Sequence, residues 1–351
     1  MRAAENEKGN APMKKAAILS CLAVIAAFLA TGCPGQTGGP TLSAVPETKL
    51  CPGGTFPTGT DNGGEQTVSR FYIGADEVTW EQWSIIREWA TSPDRGAEAY
   101  SFTWEGRMGS AGEDSGYMDS DHPVTCVHLN DAVVWCNALT EYCALYGFAD
   151  EEMSCVYIDA DGTPIRDSAG LGNLADTGDW NARKTRGGFR IPGTWEWECA
   201  ARYLGTEDPG YGIEHPSGSG DWWCPGNFAS GSNAVAFIDE TSDENRDPNP
   251  ESSCAAAWYS PHAEYRTHPV GTSGSTGGAN ALGLCDMSGN VQELCLVDPA
   301  PSYWLGRGGS WSDGAGYLQV GASNGITNLA DPHAFLGFRV ARSETIHVWG
   351  D

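Results

Sequence analysis

Gly283-Leu284-Cys285-Asp286-Met287-Ser288-Gly289-Asn290-Val291-Gln292-Glu293 is the stretch whose reading decides the fold. Leu284, Met287 and Val291 are apolar, but Gly283, Gly289 and Asn290 break them apart, so the stretch reads as a tight turn between short buried segments. The same punctuation runs through the whole sequence. Its 351 residues include 46 Gly and 20 Pro, about 19% of the chain, which argues against a helical bundle. Hydrophobic residues make up 40% and include 14 Trp, enough for a sizeable core. The formal net charge of −26 repels duplex DNA and RNA, whose phosphates need a basic surface, so nucleic acid is excluded as a partner.

Working outward, three helices can be placed. Thr79 caps a helix over 80–90, with Gln82 closing a capping box. A longer helix spans about 130–146, where Ala132, Cys136, Leu139, Cys143 and Tyr146 recur at helical spacing and Gly147 supplies the stop. A third starts near Thr194 and carries Trp195, Trp197, Ala200 and Ala201. Short apolar runs, Phe71-Tyr72-Ile73, Val156-Tyr157-Ile158 and Phe338-Arg339-Val340, lie between turn residues and read as strands. Few helices, short antiparallel strands and long loops define an α+β domain with little regular secondary structure.

At the N-terminus, Lys14 and Lys15 lead into an apolar run over 16–30, followed by Thr31-Gly32-Cys33. This pattern resembles a bacterial lipoprotein signal, which implies cleavage after Gly32 and a lipid on Cys33, with Met13 as a second candidate start. Ala30 stands where that motif usually has Leu, and an ordinary secreted protein is the competing reading. The expected organisation is a signal peptide over 1–32, a Gly/Pro/Thr/Ser-rich tether over 33–50, one domain over 51–342 and a tail over 343–351. The expected location is the bacterial cell envelope, at the outer membrane or cell surface. Export leaves ten cysteines beyond Cys33, and an oxidising compartment favours disulfides among them. Ten cysteines allow about 945 pairings.

Six landmarks then occur in order: Glu77-Val78-Thr79; His122-Pro123-Val124; residues 188–192 leading into Trp195-Glu196-Trp197-Glu198; residues 283–293; Arg307-Gly308-Gly309-Ser310-Trp311; and Gly337-Phe338-Arg339-Val340-Ala341-Arg342. The series resembles the formylglycine-generating enzyme, or sulfatase-modifying factor, family, and covers residues 51–342. The resemblance implies a compact α+β domain related to the C-type lectin fold. Oxidases of that family hold copper with two cysteines five residues apart just after the Gly-Gly-Ser motif, because soft Cu(I) needs thiolates. Those positions fall on Asp313 and Leu318, beside the matching Ser310 and Tyr317, and Leu294 replaces an expected aromatic residue. Copper chemistry is therefore not expected from this chain.

The resemblance also implies a structural calcium site, with backbone carbonyls from Ser288, Gly289 and Val291 and the carboxylate of Glu293. The alternative for Glu293 is an ion pair with an arginine such as Arg339. Asn227 and Phe228 match part of a second calcium site whose other half is altered by an insertion over 238–253. A Cys136–Cys155 disulfide is similar to one in some secreted members, and Cys224 with Cys254 would clamp the acidic insertion. An iron-binding branch of the family finds no match. No His-x3-His spacing occurs; His122 reads as part of a structural turn and His128 as a surface or core residue, the alternative being that both share a strand face with Cys126.

Other motifs are excluded by spacing. Asp159-Ala160-Asp161-Gly162 puts its glycine fourth rather than sixth, which fits an Asp-Gly turn instead of an EF-hand. No Gly-x-Ser-x-Gly, His-Glu-x-x-His or Gly-x4-Gly-Lys-Ser/Thr motif appears. The sequence thus suggests a lipid-anchored, non-catalytic module with a protein, peptide or glycan ligand, for which Trp222, Trp223 and Trp311 offer stacking faces. A divergent oxidase, or another activity using Asp313 as a general base, is the alternative.

Overall fold

The computed structural model describes residues 41–111, 118–148, 153–169, 171, 184–214, 220–233, 250–260, 262–273, 278–297, 304–325 and 333–344. Cys33 and the signal region lie outside them. The architecture below is that of the compact unit Ser43–Asp351.

Helix α1 (Trp80–Ala90) starts where the capping box places it. The Thr79 hydroxyl accepts from the Gln82 amide at 3.2 Å, and the Gln82 side chain accepts from the Thr79 amide at 3.1 Å. Its inward residues, Trp83, Ile86 and Trp89, meet α2 (Leu129–Tyr146). In that contact Trp83 stacks on Trp135 at 5.9 Å, and Phe338 sets its edge against both rings. Helix α2 is capped by His128 Nδ1, which accepts from the Asn130 amide at 3.1 Å, and ends in left-handed Gly147. Helix α3 (Thr194–Arg202) has Gly193 at its N-cap, which offers no side chain to cap it. Instead Glu196 reaches back and accepts from the Gly193 amide at 2.8 Å. A short fourth helix, α4 (Pro250–Ala256), closes the set among the described residues.

Two sheets organise the rest. Phe71–Gly74 lies between Thr48–Cys51 and Ala341–Ser343, antiparallel to both. Gln292–Leu296 lies between Trp304–Arg307, antiparallel, and Leu336–Gly337, parallel, and it pairs Glu293 with Arg307 and with Gly337. The landmark segments therefore become sheet neighbours although long stretches of chain separate them.

Several expectations need correction. The first strand begins at Thr48, three residues inside the segment read as a tether, because Thr48–Leu50 pairs with Tyr72–Gly74. Val156-Tyr157-Ile158 is not a strand. Its backbone is satisfied by a helix side chain, since Asn137 donates to the Tyr157 carbonyl at 2.6 Å and accepts from its amide at 3.2 Å. Phe338-Arg339-Val340 bridges two short strands and makes single bonds to Val78 and Gly74 while Arg339 turns into the core. The turn at Asp159–Gly162 forms as expected, with Asp159 Oδ1 accepting from the Asp161 and Thr163 amides.

Neither expected disulfide is formed in this structure. Cys136 is enclosed in the helical core, while Cys155 Sγ turns to the Asn137 carbonyl at 3.6 Å. Cys224 Sγ turns to the Pro225 carbonyl at 3.6 Å, and Cys254 Sγ sits 3.8 Å from the Tyr259 hydroxyl.

Candidate functional site

The turn within residues 283–293 works as a hub. Gly289 has φ +84°, and a Cβ there would lie 2.3 Å from the Trp258 carbonyl oxygen, so only glycine fits. Asn290 follows at φ +55°, a conformation that costs a non-glycine residue about 1–2 kcal/mol. Its side chain offsets that cost by donating to Glu77 at 2.7 Å and accepting from the His268 amide at 2.9 Å. Its backbone carbonyl accepts from the Trp311 amide at 2.9 Å, which fixes the start of the next landmark.

Glu293 is fully buried. One oxygen accepts from Arg339 Nη2 at 2.6 Å, and the other accepts from Arg339 Nε at 2.7 Å and from the Trp197 indole at 2.8 Å. This is the arrangement that the sequence left as the alternative to calcium. Burial alone would lower the Arg339 pKa, but Glu293 more than compensates and holds it raised. Burial pushes Glu77 well above the usual carboxylate range, helped by Asp286 and Glu293. Burial likewise raises Asp286 to about 7. With both Glu293 oxygens committed to a guanidinium and an indole, the donor set does not fit calcium at that carboxylate. At the second expected site, the Phe228 carbonyl accepts from the Val320 amide at 2.9 Å. Most of the insertion over 238–253 falls outside the described residues.

The place of the copper cysteines has a different chemistry. Ser310 is buried, and its hydroxyl donates to Asp313 Oδ2 at 2.6 Å. Burial raises the Asp313 pKa, and the Ser310 bonds oppose the rise. Leu318 is fully buried in a cluster with Ala229, Ala257, Tyr259 and Ala315, and Cys254 packs against that cluster. Ser288 ties this wall to the hub by donating to the Leu318 carbonyl at 2.7 Å. Tyr317 faces outward at 39% exposure. The structure thus gathers a carboxylate, a hydroxyl and an aliphatic wall, and no pair of thiolates for soft Cu(I). Among the described residues, no cluster of three or more His, Cys, Asp or Glu side chains is arranged to hold a metal ion.

His122 packs inside the domain, with Nδ1 3.0 Å from the Thr267 hydroxyl, while His128, read from sequence as a surface or core residue, serves as the cap of α2. Of the tryptophans expected to stack on a ligand, Trp223 is fully buried, and Trp311 is 8% exposed with its indole donating to the Ala334 carbonyl at 3.3 Å. Trp222 is half-buried.

The exposed aromatic face lies elsewhere. A groove of about 590 Å³ is lined by Thr103, Trp104, Glu105, Arg107, Cys126 and Ala334, with Trp104 at 40% exposure. Ala334 connects this groove to the Trp311 indole. Cys126 is half-buried at φ +53°, and burial raises its thiol pKa against the pull of Arg107. Sequence reasoning missed this groove because Trp104 sits in an aperiodic loop and Arg107 in a two-residue strand, whose pairing with Val124–Thr125 brings Cys126 beside them. A second cavity of about 670 Å³ is walled by Trp195 and ion-paired groups, with Arg70 held by Glu344 and Lys184 by Glu196.

Comparison with known proteins matches the sulfatase-modifying factor enzyme 1-like domain over residues 37–344. A relative described as Chaperone protein LppX, from Paenibacillus barcinonensis, is 28% identical over 317 residues, covering 85% of this chain and 89% of the relative. Among solved structures, CarF superposes with a TM-score of 0.55 at 23% identity, over 85% of this chain and 98% of that one. The Treponema denticola variable protein 1 gives 0.51 at 24% identity, over 85% and 95%. These likenesses carry the fold. The landmark order, the α+β architecture and the extent of the match together place the chain in the sulfatase-modifying factor enzyme 1-like domain family.

Proposed function

We propose that this chain is a binding module that keeps the family scaffold and has given up copper oxidase chemistry. The observation that carries the reading is Leu318, wholly enclosed by apolar neighbours at a position where the oxidase needs a thiolate. A carboxylate bonded to Ser310 at the partner position does not replace the missing sulfur. The groove at Trp104, Arg107 and Cys126 supplies the ligand contact, with the indole face as its apolar anchor. The relative's description as a chaperone supports a protein or peptide ligand over a glycan.

The module acts at the bacterial envelope, anchored through a lipid on Cys33. Lys14, Lys15, the apolar run over 16–30 and Thr31-Gly32-Cys33 support this placement. No helix among the described residues is long and apolar enough to cross a membrane.

Two measurements test the proposal. The domain is titrated with Cu(I) and incubated with a cysteine-containing peptide under oxygen. The expected result is no tight copper binding and no aldehyde product by mass spectrometry; oxidation of the peptide overturns the reading. Membrane fractionation of full-length chain and Cys33→Ser tests the anchor. The variant is expected in the soluble fraction, and retention of both forms in membranes refutes anchoring through that residue.

A further inference from the structure

Two thiols that the proposed function does not use meet in the core under the first sheet. Cys51 ends the strand Thr48–Cys51, and Cys199 lies on the inward side of α3. Both are fully buried, their Sγ atoms are 3.9 Å apart, and 148 positions separate them in sequence. They share a cluster with Phe71, Ile73 and Trp197. Cys51 is held opposite Phe71 by the sheet register, so the approach of the two sulfurs follows from strand pairing and from helix packing together.

We propose that Cys51 and Cys199 become a disulfide when the chain folds in an oxidising compartment, tying the first strand to α3. The change is a thiol–disulfide exchange with an external disulfide, such as oxidised glutathione or a disulfide oxidoreductase. The thiolate of one cysteine attacks a sulfur of that disulfide. Its S–S bond breaks, a mixed disulfide forms and the first external thiol leaves. The second cysteine then attacks the protein-side sulfur, forming the Cys51–Cys199 bond and releasing the second external thiol. Two electrons and two protons pass from the protein to the reagent.

The rest of the structure supports this pair over the others. Cys155 Sγ turns to the Asn137 carbonyl rather than to Cys136, Cys224 Sγ turns to the Pro225 carbonyl, and Cys254 Sγ lies beside the Tyr259 hydroxyl. Burial and the neighbouring Cys51 hold the Cys199 thiol well above its ordinary pKa. Exchange therefore takes place in the folding chain, before α3 closes over the strand. Once formed, the bond is shielded from reductants by the same packing. A link across so long a loop restricts the unfolded chain strongly, and reduction is expected to lower Tm by about 4–8 °C.

The test uses full chain exported from a bacterial host, with thiols blocked by an alkylating reagent during acid quench and denaturation, then digested without reductant. The expected map joins the Cys51 and Cys199 peptides in one species, two hydrogens lighter than their sum, that separates on reduction. Recovery of both as alkylated peptides, or of Cys51 joined to another cysteine, overturns the proposal. Thermal melts give a second readout. Wild type reduced while denatured and refolded in reductant is expected to melt below the oxidised wild type, and the same treatment leaves Cys51→Ala/Cys199→Ala unchanged; equal Tm values for the two wild-type forms also overturn it. Neither measurement involves a ligand or copper, so the outcome stands apart from the binding reading.

Discussion

Replacing Glu293 with Gln separates a structural ion pair from a calcium ligand. Arg339 is fully buried and gives Nε and Nη2 to Glu293 at 2.7 and 2.6 Å, while its other hydrogens go to the carbonyls of Gly74, Ala75 and Cys285. Gln keeps the shape and one acceptor but leaves the guanidinium charge without its partner. Breaking a buried pair in this way costs about 3–5 kcal/mol. The lower end is expected, because Glu77 lies in the same charged cluster and its ionisation becomes easier once Glu293 no longer repels it. A domain of about 300 residues has an unfolding entropy near 0.6 kcal/mol/K, so about 3 kcal/mol lowers Tm by about 5 °C. Thermal and urea melts of both proteins, in EDTA and in millimolar calcium, make the measurement. The expected result is a lower Tm and urea midpoint at unchanged m, with calcium moving neither protein. A wild-type Tm that climbs with calcium while E293Q stays fixed would refute the ion-pair account, since a cation that binds only the native state stabilises by mass action.

Three further outcomes are expected. Leu318→Ala, in a cluster of small neighbours with little room to collapse, lowers stability by about 3 kcal/mol in urea melts, and a loss below 1 kcal/mol would mean that the apolar wall is not closed. Asp286 carries a pH signature: its carboxyl has Oδ1 without a partner, and its pKa rises from 3.8 to about 7 through burial. The folded state therefore holds a proton that the unfolded chain has lost, so this contribution is full below pH 4 and disappears as pH rises to 7, up to about 4 kcal/mol. Urea midpoints at pH 5 and 8 should diverge more for wild type than for Asp286→Asn, and parallel profiles would contradict the assignment. Trp104→Ala is expected to leave Tm within about 1–2 °C of wild type and to weaken binding to a peptide array tenfold or more. Unchanged array binding would move the ligand contact away from the groove.

The parts of the fold that sequence revealed are those set by local rules. Thr79 with Gln82, and Gly147 after an apolar helix, fix ends whose hydrogen-bond partners lie within a few residues. The strands at 156–158 and 338–340 were misread because their backbone partners are remote: Asn137 serves one, and Gly74 with Val78 serves the other. That Asp313 and Leu318 stand where the family's oxidases need cysteines was legible from the spacing after Gly308-Gly309-Ser310, whereas the groove at Trp104 and Cys126 was not. The pairing that best fits two sulfurs, Cys51 with Cys199, was equally hidden, since spacing in sequence does not reveal which core thiols a sheet and a helix bring together.

The landmarks by which the family is recognised turn out to be the fold's buried polar joints. Glu77 accepts from the Asn290 side chain and the Val291 amide. Arg190 makes a two-pronged bond to Glu196, which also caps α3, and Glu198 takes Arg202 on one oxygen and Arg307 on the other. Burial would raise the Glu196 pKa, yet Arg190 and Lys184 hold it near 2, so this joint loosens only as pH falls from 4.5 toward 2. Each of these groups would be costly to bury alone, so losing one partner penalises the others. Asp313 and Leu318 stand outside that set: one is bonded to Ser310 and the other packs in a small satellite cluster. Their identity can change without opening any of the joints. The motifs that identify this family therefore report on the scaffold, and the side chains of Asp313 and Leu318 are held apart from those joints.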